Sequence, residues 1–257
     1  MENKIGLVLS GGGTKGIAEA GAIKFLEENN IFPEIIAGTS AGAIVGGLYA
    51  FGRTPEEILE FFKSVYFFNW KHFTLTKPGF INSDIFRLYL KPIIGEIKIK
   101  DLRIELLISA TDLIQGDTFV FSGDDYLLDA IIASCSVPGL ASPFKKDEML
   151  LSDGGILNNF PSNLVRDKCD KLIGVFVSPL QDVEKNQLNS IKSVATRAYE
   201  LLSHSVENYK FRDCDWFISP KELSNYGMFE SKKTKMDELF SLGYQEAEKT
   251  FPNNFKF

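Results

Sequence analysis

Apolar and polar positions follow two different periods along this chain, and the two periods predict strands and helices in turn. Helical spacing predicts a helix that ends near Glu28, one over Gly42–Phe51, and one starting at Thr54, where Pro55 and two acids suit a first turn. Alternating strands and helices predict an α/β fold with a mainly parallel sheet and helices on both faces. Short apolar runs predict buried strands at Ile5–Leu9, Glu34–Ala37, 103–110, 117–121, 148–152, 171–178 and 215–219.

The C-terminal third carries two apolar stripes at helical spacing, and each stripe predicts one face of a helix. We expect both stripes to pack against the core and neither to take part in chemistry. The first consists of Ile191, Val194, Ala198, Leu201, Leu202 and Ser205, and the second of Met236, Leu239, Phe240, Gly243, Tyr244 and Ala247.

The chain shows neither a linker-like change of composition nor an internal repeat. Its 257 residues are enough to bury one core, because α/β domains of this length are common. We therefore expect a single domain over 1–257, with its motifs within 4–180 and a helical C-terminal part over 185–257.

One uncharged stretch, Ile35–Gly52, is 18 residues long, which is close to the length that spans a bilayer. It contains five glycines and has Thr39-Ser40 near its start, so a buried strand, a tight turn and a packed helix account for it better. The short apolar run before the first glycine turn does not resemble a signal peptide.

Composition and charge narrow the classes of partner. The formal net charge is −6 and the pI is about 5.2, which disfavours nucleic-acid binding, because such binding needs clustered Lys and Arg. A polybasic membrane surface is disfavoured for the same reason, so any peripheral membrane contact would be local and apolar. The three cysteines form no CxxC pair and favour reduced thiols in a cytoplasmic protein.

A glycine loop, Gly11-Gly12-Gly13-Thr14-Lys15-Gly16, lies between the first predicted strand and helix. It fits the G-x-G-x-x-G pattern that brings a dinucleotide pyrophosphate to a helix N-terminus. It could equally present backbone N–H groups to a developing oxyanion, or be a plain tight turn. The loop alone leaves these three interpretations open.

The second predicted strand runs into Gly38-Thr39-Ser40-Ala41-Gly42, a G-x-S-x-G sequence between a strand and a helix. In that setting the small residues permit a strained turn that exposes a nucleophilic serine. A dinucleotide fold would instead have an acid at the end of this strand to hold the ribose. Ser40 is therefore the predicted nucleophile, and the glycine loop one turn earlier is its predicted oxyanion hole.

A serine nucleophile needs a proton acceptor, and the chain has only two histidines, His72 and His204. The order Ser40, Asp153, His204 matches that of a hydrolase triad, but His204 falls inside a helical pattern, whereas a triad histidine usually follows a strand. We favour Asp153, which precedes two glycines after a strand-like run, as the base. A plain turn aspartate is the alternative.

With these three motifs in this order, the chain resembles the patatin-like phospholipase family. The resemblance covers about 4–180 and includes the segments Ser109–Leu113 and Ala133–Pro138. It implies a three-layer α/β/α fold and hydrolysis of acyl esters of lipids or phospholipids by a Ser–Asp dyad, without metal or cofactor. It also implies an oxyanion hole from Gly11, Gly12 and Gly13, with Ser40 as nucleophile and Asp153 as base.

Several residues beside these motifs are expected to line the site without taking part in bond making. They are Lys15, Thr39, Ala41 and Gly154, and also Asp112 and Ser134 or Ser136. The segment 61–80 holds eight aromatic residues, which predicts an acyl-chain pocket, a lipid contact or a packed core helix. A nucleotide-binding protein and a non-catalytic lipid-binding scaffold remain the alternatives to a hydrolase.

Overall fold

The computed structural model describes residues 4–65, 84–180 and 182–253. One mixed sheet contains the eight described strands: β1 Ile5–Leu9, β2 Ile35–Thr39, β3 Glu105–Asp112, β4 Asp117–Phe121, β5 Phe144–Lys146, β6 Met149–Asp153, β7 Lys171–Val175 and β8 Trp216–Ile218. Strands β8, β7, β1, β2 and β3 are parallel neighbours in that order. Strands β4 and β6 both pair antiparallel with β3, and β5 pairs antiparallel with β6. The predicted α/β fold with a mainly parallel sheet is confirmed, and only the short β5 is an unpredicted strand.

Helices cover one face of the sheet with a continuous apolar core. The side chains of β1 show the alternation, since Leu7 and Leu9 lie in this core and Val8 in the core of the other face. The helices of the described chain are α1 Ile17–Glu28, α2 Ala41–Phe51, α3 Pro55–Ser64, α4 Asp84–Ile94, α5 Leu127–Ser134, α6 Ile191–Glu207 and α7 Lys233–Thr250.

The predicted helix start at Thr54 is a capping box. The Thr54 hydroxyl accepts the N–H of Glu57, the Glu57 carboxylate accepts the N–H of Thr54, and Pro55 occupies the first turn. The segment Ile35–Gly52 is β2 and α2, both buried, as the glycine pattern indicated. None of the described helices is long and apolar enough to cross a membrane.

Aromatic rings and short 3₁₀ turns cover the other face of the sheet. Phe160 and Phe176 are buried there, and Phe211 packs edge-on against Phe160. The end of α6 joins this layer, because the ring of His204 lies edge-on to Phe176. The sheet is therefore the middle of three layers, with a thick helical layer on one side and a thin one on the other.

The two predicted C-terminal stripes have opposite fates. The α7 prediction is confirmed, since Met236, Leu239 and Ala247 are buried and Phe240 and Tyr244 pack against the same core. The prediction for α6 is wrong: Ile191 is 92% exposed and Leu202 is 67% exposed, with Val194, Ala198 and Leu201 also exposed. At the end of α6 it is a charged residue, Glu207, that is buried and makes its hydrogen bonds in the interior.

Two further predictions fall mainly outside the described residues. His72 and all but the first two aromatics of the segment 61–80 belong to that part of the chain. The first two, Phe61 and Phe62, are buried in α3 and stack edge-on, so they belong to the core.

Candidate active site

Ser40 lies at a sharp turn between β2 and α2. Its backbone has φ 52° and ψ −115°, a left-handed conformation that a non-glycine residue rarely adopts. The flanking glycines make this turn possible. A Cβ on Gly38 would overlap the carbonyl oxygen of Gly42, and a Cβ on Gly42 would overlap that of Leu9. The G-x-S-x-G spacing thus corresponds to a steric requirement of the turn.

Ser134, at the end of α5, supports the strained turn from the interior of the protein. The N–H of Ser40 donates to Ser134 Oγ at 2.8 Å, and Ser134 Oγ donates to the carbonyl oxygen of Ser109 at 2.7 Å. Ser134 therefore supports the turn from the interior and is absent from the described cavity wall. Sequence reasoning had placed it in the lining, since nothing local in the sequence indicates a contact 94 residues away.

Strands β2 and β6 bring Ser40 and Asp153 together. Both pair with the same edge of β3, because β4 occupies its opposite edge along Ile108–Asp112. Thr39 faces Ser109, and Asp153 faces the next residue, Ala110, from a strand running the other way. The carboxyl ends of β2 and β6 therefore meet head to head along β3.

Asp153 is buried, and burial raises the pKa of its carboxyl group to about 6. Hydrogen bonds from the Ser40 side chain and from the Gly155 N–H, the latter at 2.7 Å to Oδ1, act in the opposite direction. Buried carboxylates with a pKa close to neutral are effective proton acceptors. Asp153 thus combines a contact with Ser40 and a raised pKa, which are the two properties expected of a proton acceptor for that hydroxyl.

The glycine loop forms another side of the same site. The N–H of Gly11 donates to the carbonyl oxygen of Asn159 at 3.1 Å, so this predicted oxyanion donor is already engaged. The N–H groups of Gly12 and Gly13 donate to no acceptor within the described residues, and both glycines line the cavity. The loop is fixed at its ends, since Ser178 Oγ donates to the Gly11 carbonyl and the Thr14 N–H to that of Met228.

These groups surround a cavity of about 310 Å³. Of the predicted site residues, the described wall includes Ser40, Asp153, Gly11–Gly13 and Lys15. The wall also includes His204, which the sequence offered as a triad member, and Val137 and Gly155, which belong to the motifs named above. Its remaining residues were not indicated by the sequence: Asn159, Phe176, Ser178, Pro179, Leu180, Glu207, Ser224, Tyr226, Gly227, Met228 and Phe229.

Three residues predicted to line the site, Thr39, Ala41 and Gly154, are buried behind it. Thr39 Oγ1 lies 2.6 Å from Ser109 Oγ and donates to the Asn158 carbonyl at 2.8 Å, on the interior side of the turn. A Cβ on Gly154 would overlap the Ser109 carbonyl, so Gly154 allows β6 to approach β3 closely. Thr39 ends β2, where the alternation of the strand turns its side chain away from the cavity. Ala41 begins α2, and Gly154 begins a short 3₁₀ turn after β6.

His204 lines the cavity from α6 but has no hydrogen bond to Asp153 in the described structure. Partial burial, and to a smaller extent Arg197, lowers its pKa. Its ring packs edge-on against Phe176 and Phe211, which fixes it as part of the aromatic layer. Asp112 accepts the N–H of Ile114 in a local turn and is also absent from the described wall.

Within the described ranges, no three His, Cys, Asp or Glu residues are grouped so that they could hold a metal ion. The polar groups of the cavity instead suit a reaction at a carbonyl carbon. They combine the hydroxyl of Ser40, a buried carboxylate that contacts it and two backbone N–H groups without an acceptor among the described residues.

Comparison with known proteins identifies relatives of this chain. A family model described as patatin-like phospholipase matches residues 7–165. The patatin-like phospholipase domain-containing protein ZK370.4 of Caenorhabditis elegans is 33% identical over 64% of this chain and 13% of its own length. The lysophospholipase NTE1 of Saccharomyces cerevisiae is 30% identical over 69% of this chain and 11% of its own. The chain thus spans a small part of these two relatives.

Among solved structures, VipD of Legionella pneumophila shares the fold, with a TM-score of 0.66. The match covers 97% of this chain and 67% of that one, at 15% sequence identity.

Proposed function

The chain belongs to the patatin-like phospholipase family, and on that premise we propose that it hydrolyses acyl esters of lipids, with Ser40 as nucleophile and Asp153 as its base. The observation that carries this proposal is the head-to-head meeting of β2 and β6 along β3. It brings a strained, partly exposed serine into contact with a buried carboxylate whose pKa is raised to about 6.

In the first step the Ser40 oxygen attacks the acyl carbonyl carbon while Asp153 takes the hydroxyl proton. The negative charge that develops on the carbonyl oxygen is received by the N–H groups of Gly12 and Gly13, and the positive end of α2 lies close by. The ester C–O bond then breaks, and the leaving alcohol takes the proton from Asp153. Asp153 then takes a proton from water, and the water oxygen attacks the acyl-serine carbonyl carbon. The bond from that carbon to Ser40 Oγ breaks, the fatty acid leaves, and Asp153 returns the proton to Ser40 Oγ.

We propose a dyad and not a triad. His204 lines the cavity, but the hydrogen bonds to Asp153 come from Ser40 and Gly155. We also propose that residues 1–257 form one hydrolase domain, since the C-terminal part contributes His204, Glu207 and the loop Ser224–Phe229 to the cavity wall. A lipid or phospholipid is the proposed substrate class, and the apolar side chains of that wall suit an acyl chain.

The test uses a fluorophosphonate probe, which labels activated serines, together with hydrolysis of a short-chain ester and of a lysophospholipid. Ser40→Ala should lose labelling and both hydrolytic activities, while Ser224→Ala, which removes another hydroxyl of the same cavity, should keep them. Full turnover by folded Ser40→Ala would overturn the proposal.

Two further variants assign the base. Asp153→Asn should lose about as much activity as Ser40→Ala, and the double variant should be little worse, because the two residues act as one unit. His204→Ala should keep most activity; a loss of about 10⁴-fold would indicate a triad. In the wild-type protein, turnover should decline as the pH falls below about 6, where Asp153 becomes protonated.

A further inference from the structure

Glu207, the last residue of α6, and Lys210 form a buried ion pair beside the cavity. Lys210 Nζ lies 3.0 Å from Glu207 Oε2, and the two side chains are only 4% and 2% exposed. Burying two charges costs free energy that the pair alone rarely recovers, so a buried ion pair is weak evidence for a role in stability. The further hydrogen bonds that the pair makes are therefore informative about its purpose.

The pair holds three consecutive residues after the Asp153 turn. Glu207 accepts the N–H of Asn159 at 2.9 Å and that of Phe160 at 3.1 Å. Lys210 Nζ donates to Asn158 Oδ1 at 2.6 Å. The segment Asn158–Phe160 is thus fixed by charge-assisted hydrogen bonds, which are stronger than those between neutral groups.

That segment in turn contacts each of the three parts of the proposed site. The carbonyl of Asn159 accepts the N–H of Gly11 at 3.1 Å, which sets the start of the glycine loop. The carbonyl of Asn158 accepts Thr39 Oγ1, next to the nucleophile, at 2.8 Å. The N–H of Asn158 donates to the carbonyl of Gly154, next to Asp153, at 2.8 Å. One short segment therefore fixes the spacing of the oxyanion donors, the nucleophile and the base.

The pair contributes to the site by fixing the positions of other residues, and not by an electrostatic effect on Asp153. Its two charges compensate each other, and the pKa of Asp153 is set by burial, Ser40 and Gly155. Displacing the segment would instead move the glycine loop relative to Ser40, and catalysis depends steeply on such distances.

We propose that Glu207 and Lys210 are positioning residues, which hold Asn158–Phe160 so that the glycine loop and the serine turn stay aligned. This inference rests on the proposed hydrolase function, and it assigns to the end of α6 a role that no local motif indicates.

The test measures kcat and KM for a short-chain ester, the rate of fluorophosphonate labelling and the melting temperature. Glu207→Gln and Lys210→Met should each lower kcat and the labelling rate by up to about 100-fold, with little change in KM. The double variant should be little worse than either single variant, and Lys210→Arg should keep most activity. The acid limb of the pH–rate profile should remain near pH 6, because the basicity of Asp153 does not depend on the pair.

Asp215 offers a control on the same face of the sheet, in an ion pair whose side chains are 29% and 33% exposed. Its carboxylate also accepts a backbone N–H, that of Leu172 at 2.8 Å, and pairs with Arg166 at 2.9 Å, but none of these residues lines the cavity. Asp215→Asn should lower the melting temperature and leave kcat unchanged. Near-normal kcat in folded Glu207→Gln and Lys210→Met would overturn the inference, as would an equal loss in Asp215→Asn. These outcomes differ from a failure of the proposed hydrolase function, which would appear as activity retained by Ser40→Ala.

Discussion

Helices α6 and α7 carry similar apolar stripes, yet they present them to opposite environments. In α7, Leu239 is fully buried, and the helix packs closely on α1. In α6, Leu201 of the apolar stripe is 45% exposed, whereas Glu207 at the end of the helix is buried. One helix contributes its apolar side to the core, and the other contributes the charged side chain of Glu207 to the neighbourhood of the cavity.

The difference between the two helices shows that the apolar period of a sequence does not by itself determine which side of a helix is buried. A repeat near 3.6 residues identifies a helix and the residues that share a face, but it does not determine which face meets the protein. At the end of α6, burial of Glu207 is favoured because its carboxylate accepts two backbone N–H groups and pairs with Lys210. A buried carboxylate with three such partners avoids most of the cost of lost hydration.

The first prediction tests the buried stripe. Leu239→Ala should lower the free energy of unfolding by about 2–5 kcal/mol, because the cavity left in a close-packed core adds to the lost transfer free energy. Urea denaturation with an unchanged slope is the appropriate measurement. A cost below about 1 kcal/mol would mean that α7 does not belong to the core of the folded protein.

The second prediction tests the contact of α7 with α1. A Cβ on Gly243 would overlap the Ala18 carbonyl, and one on Gly21 would overlap the Phe240 carbonyl, so two glycines allow the helices to touch. Gly243→Ala should therefore cost about 1–3 kcal/mol by overpacking. The control is Gly227→Ala, where a Cβ meets open space and the stability should hardly change. If the helices were farther apart, Gly243→Ala would instead stabilise the protein through its higher helix propensity.

The third prediction contrasts Glu207 with a buried carboxylate of α1. Glu19 is fully buried, and within the described structure its carboxylate oxygens have no hydrogen-bond partner of good geometry, only a weak contact with the backbone of Ser10. Burial raises its pKa well above the usual value of 4.5, so the folded protein holds a proton that the unfolded chain releases. Stability is therefore lost as the pH rises from about 4.5 toward the folded pKa.

Glu19→Met should remove this loss and raise the free energy of unfolding at pH 7.5 by roughly 1 kcal/mol, with a smaller gain at pH 5. Glu19→Gln, which keeps the shape and a polar group, should remove the pH dependence with a smaller gain. A destabilised Glu19→Met protein at pH 7.5 would mean that the carboxylate has an essential partner.

Much of the fold and the central pair of the site could be predicted because their signals are local. Continuous apolar runs gave seven of the eight described strands, and the steric demands of the serine turn appear in the sequence as Gly38 and Gly42. Asp153 was predicted as the base from its two following glycines and the strand-like run before it. The strand is antiparallel, and the meeting with Ser40 depends on how far β3 extends past β2.

The residues that support the site were not predictable in the same way. Ser134 is 94 residues from Ser40, and Glu207 is 48 residues from Asn159. Each makes its contact through the tertiary fold, and each belongs to a helix whose sequence pattern describes only that helix. The wrong prediction for the α6 stripe has the same cause, because the backbone N–H groups that bind Glu207 belong to the segment after β6.

The last and smallest effect is expected for the α6 stripe, in the substitution that matches the first one. Leu201→Ala should change the free energy of unfolding by no more than about 0.5 kcal/mol, because an exposed side chain leaves no cavity and alanine favours a helix at least as well as leucine. Ile191→Ala, at a residue that is 92% exposed, should behave alike. Both variants should hydrolyse a short soluble ester at the wild-type rate, since neither residue lines the cavity.

Urea denaturation of the two variants beside Leu239→Ala measures the contrast directly. A loss above about 2 kcal/mol for Leu201→Ala would fall in the range of core leucines, and it would show that α6 buries its apolar side in the folded protein in the way that α7 does.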